Sequence, residues 1–134
     1  MSTMQEGTEV YKIGVNLPPE FLERMMDSVN DVMEPLYPKY DRTFMYWPVK
    51  GTWRPLPGAD PYNGTIGEIE TADEIRLEFA VKKKDLEIVL RTIAEVHPYE
   101  EPAVDVIPML SWRDIIPSDG KRTRCRRSSA SYGS

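Results

Sequence analysis

The sequence predicts an α+β domain of the ferredoxin-like type, β-α-β-β-α-β, with two helices on one face of an antiparallel sheet and an extra hairpin or loop insertion. Three observations predict it. Two segments carry apolar residues at helical spacing, and each is stopped by a proline, Pro35 or Pro98. The segments around them alternate apolar and polar residues with period two. The order strand, helix, strand, strand, helix, strand then lets two right-handed strand–helix–strand units share one sheet.

The elements follow in order. Tyr11, Ile13, Val15 and Leu17 alternate with Lys12, Gly14 and Asn16, the pattern of a half-buried strand. Pro18 and Pro19 stop it, and proline suits the first turn of a helix. Phe21, Leu22, Met25, Met26, Val29, Val32 and Met33 form one broad apolar stripe on that helix. Residues 40–47 read as an aromatic-rich strand that Pro48 closes or marks as an edge. Residues 51–54 read as a short returning strand, and 56–64 as a loop rich in proline and glycine. Residues 65–70 read as another strand. In residues 74–82, Ile75, Leu77, Phe79 and Val81 share one face and Arg76, Glu78, Ala80 and Lys82 the other. A second helix over 84–96 carries Leu86, Val89, Leu90 and Ile93. Val104, Val106, Pro108 and Leu110 mark the last strand, alternating with Asp105, Ile107 and Met109.

The chain has 134 residues, one cysteine and a formal net charge of −5. One domain is expected, spanning 9–116, between a flexible N-terminus (1–8) and a disordered basic tail (117–134). The acidic body argues against nucleic-acid binding, which needs a basic face. The tail cluster Lys121, Arg122, Arg124, Arg126 and Arg127 reads as a solvated terminus, with contact to an anionic partner as the alternative. No apolar run approaches a membrane span, and the first residues do not read as a secretory signal. A lone cysteine, Cys125, excludes intramolecular disulfides and multi-cysteine metal sites, so a cytoplasmic location is expected.

Few residues point to chemistry. His97 is the single histidine. A zinc site around it would need Glu100, Glu101, Asp105 or a second subunit. Otherwise it is a helix-end histidine whose charged form the helix dipole favours. No nucleophile elbow, Cys/His pair or phosphate-binding glycine loop is present. The carboxylate pairs Asp73-Glu74 and Glu100-Glu101 read as solvated turns. Lys82-Lys83-Lys84 reads as strand-to-helix punctuation, with an anion site at the helix start as the alternative. The most unusual feature is the aromatic cluster Tyr40, Phe44, Tyr46, Trp47 and Trp53. A two-layer fold leaves one sheet face without helices, so this cluster predicts an apolar patch and self-association.

Two segments resemble a known family. Residues 97–110, beginning His97-Pro98-Tyr99-Glu100-Glu101-Pro102, resemble the closing motif of the CutA/PII-like insert domain of YqfO-type (dinuclear metal-centre) proteins. Residues 51–68, beginning Gly51-Thr52-Trp53-Arg54-Pro55, resemble its central loop. The shorter His-Pro-Tyr-Glu stretch is also similar to that of CutA divalent-cation tolerance proteins. The resemblance spans about residues 9–112 and implies a ferredoxin-like domain of the PII/CutA kind that often trimerises. Residues 34–42 depart from the glycine-rich run expected before the second strand. The family's His/Asp/Glu metal ligands lie in flanking domains, so the resemblance carries no dinuclear site and no linked hydrolase activity onto these residues.

The resulting expectation is a stand-alone, non-enzymatic, oligomeric module, trimer or dimer, regulatory or binding a small molecule or ion. No cofactor is expected, and no nucleic-acid or membrane partner. The ligand-binding candidates are His97, Tyr99, Glu100, Glu101 and Arg54. The alternative is a small enzyme with a site between subunits around His97, Glu100, Glu101 and Arg54.

Overall fold

The computed structural model describes residues 9–116. The expectations for residues 1–8 and 117–134, Cys125 among them, lie outside the described residues. Four strands form one antiparallel sheet in the order β2-β3-β1-β4: β1 (Val10–Leu17), β2 (Met45–Trp53), β3 (Glu70–Lys82) and β4 (Val104–Met109). The helices α1 (Leu22–Val32) and α2 (Leu86–Val96) are each entered through a short 3-10 turn. This is the ferredoxin-like arrangement. No helix among the described residues is long and apolar enough to cross a membrane.

The register explains the core. Tyr11 pairs with Val81, Ile13 with Phe79 and Val15 with Leu77. These side chains share one sheet face, and Met25, Val29, Val89 and Ile93 from the helices pack onto it. Each such fully buried aliphatic side chain contributes about 1.5–3 kcal/mol relative to exposure. The methionine-containing stripe of α1 is thus core packing. Lys82 and Lys84 both bind the Glu34 carboxylate, at 2.8 and 3.0 Å, so the anion beside the lysine run is the chain's own. Those two ammonium groups hold Glu34 at about 2, well below its ordinary value.

The middle of the chain differs from its sequence reading. β2 starts at Met45 instead of Tyr40 and runs unbroken through Pro48 and Gly51. It can do so because it is an edge strand that pairs with β3 alone, so proline interrupts no second ladder. Residues 51–53 therefore continue β2 and do not return from it, and Arg54 opens the following loop. Residues 65–69 are turns, and β3 is a single strand of 13 residues. No extra hairpin forms among the described residues. The insertion is the loop 54–69 between β2 and β3.

The aromatic cluster is divided by the pleat. Phe44 packs inward, edge-to-face on Phe79 at 5.3 Å. Tyr46 pairs with Leu77 and lies on the helix-covered face, whereas Trp47 pairs with Arg76 on the open face. Met45, Trp47 and Ile107 leave that open face apolar at its two edges. Arg76 crosses its centre, bonded to Asn16 Oδ1 at 3.1 Å and to Asp105 Oδ2 at 2.9 Å. Gly14 makes room for it, since a Cβ there would stand 2.6 Å from the Arg76 Cζ.

Candidate functional site

At one end of the sheet β1 and β2 finish while β3 and β4 begin. There the loop 54–69 and the α2–β4 connector, 97–103, enclose a cavity of about 580 Å³. Its walls are built from residues that local structure holds in place. Trp53, the last residue of β2, donates its indole N–H to the Asn63 carbonyl at 3.2 Å. The Gly67 amide donates to the Pro55 carbonyl at 2.8 Å, and the Asp60 amide to Glu100 Oε1 at 2.8 Å. Gly64 has φ +120°, and its missing Cβ leaves space for Pro55 and Trp53. Tyr62 donates to Glu20 Oε2 at 3.3 Å and meets Phe21 edge-on.

Tyr99 stands at the centre. Its ring lies 5.7 Å from Trp53 and 5.9 Å from Tyr62, tilted by 48° and 44°. Its hydroxyl donates to Glu74 Oε2 at 2.6 Å. Glu74 is only 4% exposed, yet it lines the cavity. Gly51 of β2 lies under its carboxylate, where any Cβ would collide with the carboxyl carbon at 2.9 Å. Burial, and then the Glu74 carboxylate, push the Tyr99 phenol well above its ordinary value. The pair Asp73-Glu74 is therefore no solvated turn: it lies within β3, with Asp73 exposed and Glu74 buried.

Tyr99, Glu100, Glu101 and Arg54 all line this cavity. His97 does not. It is buried behind the connector, with Nε2 2.7 Å from the Asn16 carbonyl and Nδ1 3.2 Å from the Tyr99 amide. A carbonyl only accepts and an amide only donates, so Nε2 carries the proton and Nδ1 accepts: a neutral ring. Burial pushes the His97 pKa down, outweighing the Asn16 carbonyl and Glu74, which pull it up. The charged helix-end histidine expected from the dipole is thus replaced by a neutral bolt that ties the connector to β1. Among the described residues, no three His, Cys, Asp or Glu side chains converge as a metal site.

Sequence reasoning missed Glu74, Asn16, Trp53 and Tyr62 as cavity residues. Parity within β3 places Glu74 on the face without helices, beside Arg76 and Glu78. Its burial comes from the loop and connector, which no periodicity reports.

The sheet order and the two helices on one face define a ferredoxin-like domain. In sequence the chain resembles YqfO/NIF3-type proteins. It is 38% identical over 99 residues to a GTP cyclohydrolase 1 type 2 homolog of Staphylococcus epidermidis, covering 74% of this chain and 27% of that protein. A Bacillus cereus protein related to NIF3 superposes with a TM-score of 0.67 at 25% identity, over 78% of this chain and 26% of that one. CutA of Archaeoglobus fulgidus, the periplasmic divalent cation tolerance protein, matches with a TM-score of 0.55 at 17% identity, over 76% of this chain and 85% of its own. GlnK of Bacillus subtilis matches with a TM-score of 0.53 at 14% identity, over 76% of this chain and 86% of its own. The last two show the fold alone. The chain spans about a quarter of the length of the curated relatives it matches. No family model matches the chain.

Proposed function

We propose that the chain is a non-enzymatic PII/CutA-like module that self-associates and binds a small ligand in the end cavity. One observation carries the binding reading: a preformed cavity whose wall holds the buried Glu74 carboxylate, with only the Tyr99 hydroxyl bonded to it among the described residues. Ligand sites are mostly apolar hollows with a few placed polar groups, and this cavity matches that description. The enzyme alternative needs His97 in the cleft with a carboxylate in reach. Both ring nitrogens are instead engaged by backbone groups, which favours the module. The activity in the relatives' name concerns much longer proteins, of which the matched segment is 27%, and is not part of this reading.

Self-association, as a dimer or trimer, rests on the open face, where Met45, Trp47 and Ile107 are exposed. A specific interface there should bury more than about 1,000 Å² in total. A cytoplasmic location, without nucleic-acid or membrane partners, completes the reading. It rests on the lone cysteine and the acidic body.

Light scattering and a thermal-shift screen of small molecules and divalent metals test it. The expected results are a mass of two or three chains and at least one stabilising compound. A mass of 15.4 kDa at high concentration would overturn the assembly. A screen without any hit would overturn the binding role.

A further inference from the structure

We propose that the end cavity takes an organic cation: a primary ammonium carried on an aromatic or aliphatic body, with its nitrogen at Glu74. This deepens the ligand-binding reading of the same cavity and rests on it. The polar wall carries three carboxylates, Glu74, Glu100 and Glu101, against the single guanidinium of Arg54. Glu100 is already committed in part to the Asp60 amide. Glu74 is not balanced: among the described residues no lysine or arginine forms an ion pair with it. Its one hydrogen-bonding partner is the Tyr99 hydroxyl, on Oε2. A buried carboxylate has room for several donors, and leaving it with one is costly. A ligand N–H₃⁺ is the group that meets both needs, opposite charge and further donors.

The rings point to the same chemistry. Trp53, Tyr62 and Tyr99 line the cavity tilted to one another, so no pair is stacked flat. Unstacked π-surface beside a carboxylate attracts cations, and it also accepts an apolar body. A bare metal ion fits less well, because the acidic side chains do not converge at ligating distance among the described residues. An anion would face the carboxylates. The cavity volume of about 580 Å³ accommodates a small arylalkylamine.

The experiment is a calorimetric titration of the full chain with three probes of nearly equal shape and different charge: phenethylammonium, 2-phenylethanol and 3-phenylpropionate. The ammonium should bind saturably, and the neutral and anionic probes at least about tenfold more weakly. Glu74→Gln, checked for folding by circular dichroism, should weaken the ammonium at least about tenfold and leave 2-phenylethanol unchanged. If that variant does not fold, the charge series on the parent protein decides alone. Equal or tighter binding of the alcohol or the propionate overturns the cation inference while leaving the ligand cavity standing. A folded Glu74→Gln protein with undiminished ammonium affinity overturns it too. No binding of any probe, together with a thermal-shift screen without hits, overturns both.

Discussion

The Tyr99 hydroxyl donates to the buried Glu74 carboxylate at 2.6 Å, joining the α2–β4 connector to β3 at the end of the sheet. This bond brings together two residues 25 positions apart. It also sets the polarity of the cavity, because Glu74 has no cation partner within the described residues.

Removing the hydroxyl should be felt. Tyr99→Phe keeps the ring but takes away the donor, leaving Glu74 buried and short of a partner. The expected loss is about 1–3 kcal/mol in denaturant unfolding. Combined with Glu74→Gln, the losses should not add fully, because Tyr99→Phe removes and Glu74→Gln weakens the same bond. Additive losses would show that the two residues act separately. The raised Tyr99 pKa has its own signature. The native state keeps a proton that the unfolded chain gives up near 10, so stability falls as pH rises above that value.

His97 should make the protein acid-sensitive. Its native pKa lies below the ordinary 6.5 because burial disfavours the charged ring. The unfolded chain therefore binds the proton first as pH falls. The contribution is fully present above 6.5 and is lost as pH drops from there toward the native value. As His97 is the only histidine, melting curves between pH 7.5 and 5.5 should fall with pH in the parent and lie nearly flat in His97→Gln. An equal slope in that variant would place the titrating group elsewhere.

Gly14 should not tolerate a side chain. Gly14→Ala puts a Cβ against the Arg76 guanidinium and must displace it from Asn16, Glu78 and Asp105. The expected cost is about 1–3 kcal/mol. In an Arg76→Ala background the same substitution should cost less than half as much. An undiminished cost there would mean that the strand backbone, not Arg76, forbids the methyl group.

Trp47 tests the assembly. Trp47→Glu places a charge on the open sheet face and should shift the light-scattering mass to the single chain while leaving the circular dichroism spectrum unchanged. Charges at the centre of an interface are costly to desolvate without a partner. An unchanged mass would move the interface away from this face.

The residues that wrote the fold into the sequence are those with an unambiguous period. Tyr11 to Leu17 and Ile75 to Val81 alternate cleanly, and the stripes holding Met25, Val29, Val89 and Ile93 repeat at helical spacing. Each has one face buried, so sequence period and burial coincide, and the α+β fold with both helices on one face was legible. Between residues 36 and 69 the sequence misled. Gly51 looks like the start of a returning strand but continues β2, while Pro48, read as closing the strand or marking an edge, marks an edge, where one side forms no ladder.

The candidate site was half legible. The motif from His97 to Glu101 and the position of Arg54 pointed to the surroundings of the end cavity, because prolines and aromatic residues in a connector stand out against periodic elements. Sequence alone determined which residues were available: one histidine, one cysteine, an acidic body and an aromatic centre. Tertiary structure decided their roles. It turned His97 inward onto backbone groups and drew Glu74 out of an apparently solvated pair into a cavity wall. Both outcomes depend on which distant segment covers a side chain. Here the loop 54–69 and the connector 97–103 fold over the sheet end, and burial by a non-local segment leaves no local period to read.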